Sequence, residues 1–388
     1  MKTGSDNARR WAVLKEWPLL LSIAVCALSF CLKPAWFAVL PQRLLPGAAM
    51  LGLVSVILLS AFAVVRHAEA LAERLGEPFG TLILTIAVTG IEVMMISAAM
   101  STGHGNPAMA RDAMFSVVMI VLNGMVGLVL LIGGLRYKEQ TYNLQGVNAF
   151  LSLIVPLAVL GLILPNFTTG APGPTVTPLH ADFEIIMSLG IYGVFLAIQT
   201  SLHRHYFLPG ELPSAESEHA AEGSTGRHTA ALSAPWHATF LVLYLLPLVV
   251  LSKVLAGLMA DVIQALNAPV ALGGFLVAAL VLSPESLTAF RAASANELQR
   301  SLNILLGSVL ATIGLTIPAV LTIGLITGQT IYLGLDAPNM IMLALTLMVS
   351  ILTFSTPRTN LLLGTVHLLL FFAYLMLMFE EHSNAVTH

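Results

Sequence analysis

The segment GEPFGTLILTIAVTGIEVMMISAAM, residues 76–100, decides the class of fold. From Phe79 onward the segment is apolar for long enough to cross a bilayer, which takes about 20 residues. One carboxylate, Glu92, lies within this apolar run. An ionisable side chain at membrane depth is costly and usually marks a functional site. The segment therefore predicts a transmembrane helix that carries part of such a site.

The composition of the whole chain agrees with this interpretation. Of the 388 residues, 57% are hydrophobic and 10% are charged, whereas about a quarter of the residues in a soluble domain are charged. So few charges cannot cover a surface in water, and we expect the lipid bilayer to be the main partner. The net charge of −3 argues against nucleic acid. The two cysteines, Cys26 and Cys31, are too few for a disulfide scaffold.

Hydropathy predicts an all-α integral membrane protein with about 11 transmembrane helices. The predicted spans are 17–33, 47–66, 78–101, 112–135, 146–165, 183–203, 236–260, 268–290, 301–327, 339–354 and 359–379. A long polar segment interrupts this series and is expected to be a flexible linker. We therefore predict an N-terminal tail with a leading helix (1–45), a first five-helix repeat (46–205), a polar cytoplasmic linker (206–233) and a second five-helix repeat (234–388).

The basic residues predict how the chain is oriented. With the N-terminus in the cytoplasm, thirteen Lys and Arg residues lie at the cytoplasmic face, against Lys33, Arg43 and Arg111 at the other. This bias favours a cytoplasmic N-terminus and an external C-terminus. We expect a multi-pass protein of the plasma membrane, which is the inner membrane of a bacterium. Repeats with an odd number of spans enter the membrane in opposite orientations, an arrangement typical of secondary transporters.

A second intramembrane carboxylate, Glu285, occupies a position like that of Glu92. It lies in LSPESLTAF (282–290), in the second span of its repeat, as Glu92 does in the first. Pro284 removes a helix hydrogen bond and frees backbone carbonyls that could bind a cation. Other acidic residues, Glu69 and Glu184 among them, are expected in connections or near the ends of spans.

Polar side chains accompany the two glutamates. Thr81, Thr85, Thr89 and Glu92 follow one another at helical steps and share one face. The supporting polar residues that we expect at the site are Thr85, Thr89, Asn123, Ser116, Ser283, Thr288 and Ser308. The structural alternative for each hydroxyl is a hydrogen bond to its own helix. His367, in the middle of a span, is expected to pack or to form an interhelical hydrogen bond.

Two carboxylates with neutral oxygens around them suit a hard cation, and Ca²⁺ takes about 6–8 oxygen ligands. We expect Glu92 and Glu285 to be its protein ligands. Without a cation, two close carboxylates repel and at least one binds a proton. This predicts a secondary transporter that exchanges a hard cation for protons by alternating access, with the two glutamates binding the cation and the protons in turn. We expect no catalytic residues and no cofactor besides the transported ions.

Three alternative functions require different features of the sequence. A monovalent cation/proton antiporter with little calcium activity needs the same two glutamates, and a cation channel needs a continuous pore. An intramembrane enzyme would need a nucleophile or metal motif, and neither HExxH nor GxSxG is found in the sequence. The polar linker is expected to be a solvated tether, with a sensor of calcium or pH as the alternative. The sequence also leaves open whether the protein forms a homo-oligomer.

Two segments resemble the signature repeats of the calcium/proton antiporter family, within the calcium/cation antiporter superfamily. They are residues 76–100, quoted above, and SPESLTAFRAASANELQRSLNILLGSVLATIGLTIPAVL (283–321). The likeness is strongest to the bacterial ChaA-type sodium-potassium-calcium/proton antiporters. It implies an 11-span fold with two inverted repeats and export of calcium, sometimes sodium or potassium, against protons.

The resemblance also implies roles for particular residues. Glu92 and Glu285 match the two essential repeat glutamates of the family, and Asn123 and Ser308 match polar positions in the helices that follow. The chain departs from the family where a Gly-Asn pair usually precedes each glutamate. Those positions hold Val88-Thr89 and Val281-Leu282, which lowers the expected selectivity for calcium over monovalent cations.

Overall fold

The computed structural model describes residues 14–31, 45–76, 79–100, 107–208 and 233–387. Within these ranges the chain forms eleven long helices and a two-stranded ribbon. The helices are α1 (Trp17–Cys31), α2 (Leu45–Leu75), α3 (Phe79–Met100), α4 (Met109–Tyr137), α5 (Leu144–Leu162), α6 (Pro178–Leu202), α7 (Ala234–Ala265), α8 (Ala271–Ser294), α9 (Leu298–Thr327), α10 (Ala337–Thr353) and α11 (Leu361–Thr387). The strands are β1 (Gln140–Thr141) and β2 (Arg358–Thr359), which pair antiparallel.

These helices confirm the prediction of an all-α membrane protein. Among the described residues, nine helices are long and apolar enough to cross a bilayer, and α1 and α10 are shorter apolar helices. Each predicted span corresponds to one of the eleven helices. The hydropathy pattern is informative because lipid requires continuous apolar helices with internally satisfied backbone groups.

The packing places α4 and α9 at the centre of the molecule. Their most apolar windows are 83% and 67% buried, compared with 17% for the window of α6. The central helix α4 packs against α8 and α11, and α9 packs against α5, α6 and α8. Each central helix therefore contacts helices from the other half of the chain. The two halves share one core, and α2 and α7 pack against each other beside it.

Small residues allow the backbones of α4 and α11 to approach closely. A Cβ atom added to Gly127 would lie 3.0 Å from the Gly364 carbonyl oxygen, and one added to Gly364 would lie 2.8 Å from the Gly127 oxygen. This pair of glycines therefore permits the close helix packing that small residues typically allow in membranes.

Three helices contain a π-helical turn, in which the register of the side chains shifts. These turns span Ile120–Met125 in α4, Ile198–Leu202 in α6 and Thr312–Thr316 in α9. The turns in α4 and α9 lie in the middle of the two central helices. Such turns often occur at functional sites.

The start of the predicted linker differs from the sequence-based boundary. Tyr206 and Phe207 belong to the packed part of the first half, and Phe207 is buried. The Asn303 amide donates a hydrogen bond to the Phe207 carbonyl oxygen at 2.6 Å. The carbonyl thus ties this turn to α9, and the Phe207 ring packs on Phe150 of α5 and Phe195 of α6. Residues 209–232 of the predicted linker, where a sensor of calcium or pH is the alternative to a tether, lie outside the described residues.

A cluster of polar groups fastens α1 to α2 and α7. The buried Glu16 carboxylate accepts hydrogen bonds from Arg66 at 2.6 Å and from the Tyr244 hydroxyl at 2.9 Å. The His67 ring lies 3.3 Å from the same carboxylate oxygen. Burial raises the pKa of Glu16, but the bonds from His67 and Tyr244 and the Arg66 charge outweigh it, so the pKa is lowered.

Replacing Glu16 by glutamine is expected to lower the thermal stability of the purified protein at neutral pH. A carboxylate with a lowered pKa stabilises the folded state above its unfolded pKa, and this contribution is lost as pH falls through the folded value. Losing the charge-assisted bonds costs about 1–2 kcal/mol, or roughly 2–5 °C in Tm. The difference should vanish at acidic pH, and Glu297→Gln, at an exposed ion pair with Arg300, is the control. An equal difference at every pH would contradict this interpretation.

Candidate ion-binding site

A cavity of about 280 Å³ lies between α2, α3, α6, α8 and α9, and both intramembrane glutamates line it. Glu92 comes from α3 and Glu285 from α8. The predicted supporting residues Thr85, Thr89, Thr288 and Ser308 also line this cavity. We call it the central cavity. The structure therefore brings the two glutamates together with four of the seven supporting residues.

Glu92 is held by two hydroxyl groups of α9. The side chain is 4% exposed, and its Oε2 accepts hydrogen bonds from Thr312 Oγ1 at 3.0 Å and Thr316 Oγ1 at 3.1 Å. The other oxygen, Oε1, is buried without a hydrogen-bond partner in the described part of the chain. The two threonines are the first and last residues of the π-helical turn in α9, so the turn aims both hydroxyls at one carboxylate oxygen.

Glu285 lies across the same cavity, one residue after Pro284, which stands within the continuous helix α8. Ser308 of α9 lines the cavity together with Glu285, and Glu285 Oε2 is buried without a partner among the described residues. Pro284 also lines the cavity. Both glutamates therefore share the cavity with hydroxyl-bearing residues of the same central helix, and each keeps one buried oxygen free.

Hydroxyls on α3 and α8 complete the wall of the cavity. Thr85 lines the cavity together with Tyr192 of α6, which was not among the predicted site residues. Thr288 donates to the Pro284 carbonyl at 3.1 Å, and Ser283, which does not line the cavity, donates to the Ala279 carbonyl at 2.7 Å. Both hydroxyls thus follow the structural alternative, because each is satisfied within its own helix. The side chain of Thr81 lies outside the described residues.

Asn123 and Ser116 do not line the central cavity, contrary to expectation. Asn123 is fully buried and donates a hydrogen bond to Thr346 Oγ1 at 2.8 Å. Ser116 bonds to the Asp112 carbonyl at 2.6 Å and to the Tyr374 hydroxyl at 2.8 Å. Both side chains face α10 or α11 and join α4 to those helices. Asn123 and Ser116 therefore belong to a buried interhelical network and not to the predicted ion site.

His367 belongs to this same network. It is buried, and its ring nitrogens lie 2.9 Å from Thr353 Oγ1 and 3.4 Å from Asn123 Oδ1. The expectation of a packed, interhelical hydrogen-bonding histidine is confirmed.

Residues outside the predicted supporting set enlarge the site. The spacing predicts that Thr312 shares a face of α9 with Ser308, and Thr316, which was not singled out, follows at the same step of four. At one end of the central cavity the wall contains Glu69, Gln199 and Asn303. These three lie at the ends of their helices that carry Arg74, Arg204 and Arg300, and we call this end the mouth.

The donor set suits a cation that takes oxygen ligands. Within the described ranges, no group of three or more His, Cys, Asp or Glu side chains could hold a metal ion. The described site instead offers two carboxylates and hydroxyl groups. Such oxygens suit hard cations and do not suit soft or borderline metals.

Apolar helices around a cavity that two intramembrane glutamates line define a polytopic membrane protein with an intramembrane ionic site. The chain belongs to the sodium/calcium exchanger family, whose model, described as sodium/calcium exchanger protein, matches residues 45–201 and 236–380. This membership agrees with the predicted resemblance to cation antiporters. One family model thus matches both halves of the chain and leaves the polar linker between them unmatched.

Two relatives and one solved structure extend this finding. The chain is 41% identical to the sodium-potassium/proton antiporter ChaA of Escherichia coli (strain K12), over 85% of this chain and 87% of that protein. It is 42% identical to the putative ionic transporter y4hA of Sinorhizobium fredii, over 87% and 90%. The structure of native YfkE shares the fold, with a TM-score of 0.69 at 16% identity, over 95% of this chain and 98% of that one. The protein is thus a cation antiporter by family.

Proposed function

We propose that the protein exchanges a cytosolic cation for external protons, and that Glu92 and Glu285 bind the cation and the protons in turn. One observation carries this proposal. Both carboxyl groups line one cavity, and each has a buried oxygen without a hydrogen-bond partner in the described chain. Those oxygens are available to a cation or to a proton.

The electrostatics of the cavity supply the coupling. Two unpaired carboxylates within a membrane repel each other and lose solvation, so the empty site is stable only when protons neutralise it. A bound cation neutralises the same charges, and the protons must then leave. Exclusive occupancy of one site is the requirement for exchange, because it prevents either ion from crossing without the other.

The shape of the cavity favours access from the cytoplasm in this conformation. Its mouth lies at the helix ends where Arg74, Arg204 and Arg300 follow, and basic residues predominate at cytoplasmic faces. A cation can then enter past Glu69 and reach the two glutamates. Release to the other side requires a rearrangement of the helices, as in the alternating access of transporters built from inverted repeats.

Calcium is the first candidate for the cation, because a divalent ion neutralises both glutamates at once. Sodium or potassium is the second candidate, favoured by the name of the E. coli relative. With a monovalent cation, one glutamate would keep its proton while the other binds the ion.

Proton movement in inside-out vesicles tests the proposed function. The vesicle lumen is acidified, the membrane potential is clamped, and Ca²⁺, Na⁺ or K⁺ is added in separate samples. We expect at least one cation to release protons from the lumen of vesicles with the protein and not from vesicles without it. A calcium response supports the first candidate, and a response to Na⁺ or K⁺ alone supports the second. Cation entry without proton release would indicate a channel and overturn the proposal.

A further inference from the structure

A third intramembrane carboxylate, Glu184 of α6, is buried without any partner in the described part of the chain. It is 4% exposed, and both of its carboxyl oxygens are buried without a hydrogen bond. Its place in the sequence predicts a position near the end of a span. An unpaired carboxylate at such a position carries a large desolvation cost unless it binds a proton.

The surroundings of Glu184 are apolar. A Cβ atom added to Gly161 of α5 would lie 3.5 Å from Glu184 Oε1 and 2.6 Å from Ile317 Cδ1 of α9. Neither α5 nor this half of α9 contains a titratable residue, since Arg300 lies at the opposite end of α9. On α6 itself, His180 and Asp182 are the titratable neighbours. With one carboxyl group and no other oxygen bonded to it, the position suits a proton and lacks the ligands of a metal ion.

A second cavity lies directly beside Glu184, at the opposite side of the molecule from the mouth. This outer cavity has a volume of about 550 Å³ and is lined by Ala181, Leu321 and residues of the segments 172–176 and 328–332, among others. Ala181 is three residues before Glu184 on α6, and Leu321 is four residues after Ile317 on α9. One helical turn therefore separates the outer cavity from the Glu184 carboxyl group.

Polar residues continue from Glu184 toward the central cavity. Ser188 and Tyr192 follow at steps of four on the buried face of α6. Tyr192 lines the central cavity together with Thr85. Glu184 thus stands between two cavities, with a row of hydroxyl groups on its inner side.

We propose that Glu184 is an outer proton-binding site, which passes protons between the outer cavity and the central glutamates through Ser188 and Tyr192. In each transfer Glu184 accepts a proton from water of the outer cavity and gives it to the inner row, so its net charge returns to the starting state. The proposal rests on the proposed exchange function and adds a separate proton path on the external side. The cation itself need not pass along α6.

The test compares wild type with Glu184→Gln in inside-out vesicles, where the lumen corresponds to the external side. Exchange is measured as a function of lumenal pH, and cation affinity is measured on the solubilised protein. We expect Glu184→Gln to slow exchange about tenfold and to shift the dependence of the rate on lumenal pH toward lower pH, because protons then reach the central glutamates less readily. Cation affinity should stay within about twofold of wild type. The variant Glu184→Asp should restore the wild-type pH profile.

Two outcomes would overturn the proposal. A wild-type pH profile in Glu184→Gln would show that external protons do not need this carboxyl group. A loss of cation affinity would place Glu184 in the cation site. If Glu184→Gln does not fold, Ser188→Ala is measured instead. The same slower exchange and the same shift of the pH profile are expected, and a wild-type profile would again exclude the path. The variant Glu92→Gln distinguishes the two proposals. Exchange at the wild-type rate by this variant would refute the proposed function, whereas the outer site is tested by the variants of Glu184 and Ser188.

Discussion

Replacing Glu92 by glutamine is expected to abolish cation-driven proton release, with a loss of roughly 100-fold or more. Glutamine keeps the size of the side chain and can still accept the bonds from Thr312 and Thr316. It removes the charge that attracts the cation and the group that binds the proton. Because both ions need the same carboxylate, neither direction of exchange should survive. Proton release from inside-out vesicles is the measurement.

Glu285→Gln is expected to have a similar effect, because the second carboxylate lines the same cavity. The matched control is Glu297→Gln, at an exposed glutamate paired with Arg300 outside the cavity, which should exchange like wild type. Normal exchange by Glu92→Gln and by Glu285→Gln, in protein that is folded and inserted, would place the site elsewhere.

The second large effect is expected from removing both hydroxyls that hold Glu92. In the double variant Thr312→Val and Thr316→Val, the shape of the side chains is nearly kept while both donors to Glu92 Oε2 are lost. A carboxylate without these donors is less well oriented, and losing the partners of a ligand typically costs about 10- to 100-fold in affinity. We expect KM for the cation to rise by this factor. Initial rates over a range of cation concentrations provide the test.

The matched control for this pair lies on the same helix. Thr322→Val removes a hydroxyl that bonds only to the Pro318 carbonyl of its own helix in the described structure, and it should leave KM unchanged. An unchanged KM in the double variant would mean that the contact between α9 and Glu92 does not contribute to cation binding.

The helices could be predicted well from the sequence, and so could the two glutamates. Apolar runs of sufficient length have few alternatives in lipid, and a carboxylate such as Glu92 is conspicuous within them. Tertiary positions were harder to predict. Ser116 and Asn123 are seven residues apart and lie on the same side of α4, as that spacing predicts. The spacing does not specify which helices that side meets, and in the structure the partners are Tyr374 of α11 and Thr346 of α10.

The burial of Glu184 could not be predicted from the sequence for a different reason. Its distance from the end of the predicted span 183–203 placed it at the membrane surface, where a carboxylate is solvated. The structure starts α6 at Pro178, so Glu184 lies almost two turns inside the helix. Gly161 then lets α5 and α9 close around it. Hydropathy specifies neither the start of α6 nor the close contact at Gly161. These two features decide whether this carboxylate is solvated or buried.

Counting the protons released when the cation binds tests the central claim most directly. The solubilised protein is titrated with the cation that drives exchange in weakly buffered solution at neutral pH, without a membrane or a gradient. Wild type should release protons as it binds, up to about two for Ca²⁺, and the double variant Glu92→Gln and Glu285→Gln should release none. Equal proton release by the double variant would contradict the claim that these two carboxyl groups exchange protons for the cation.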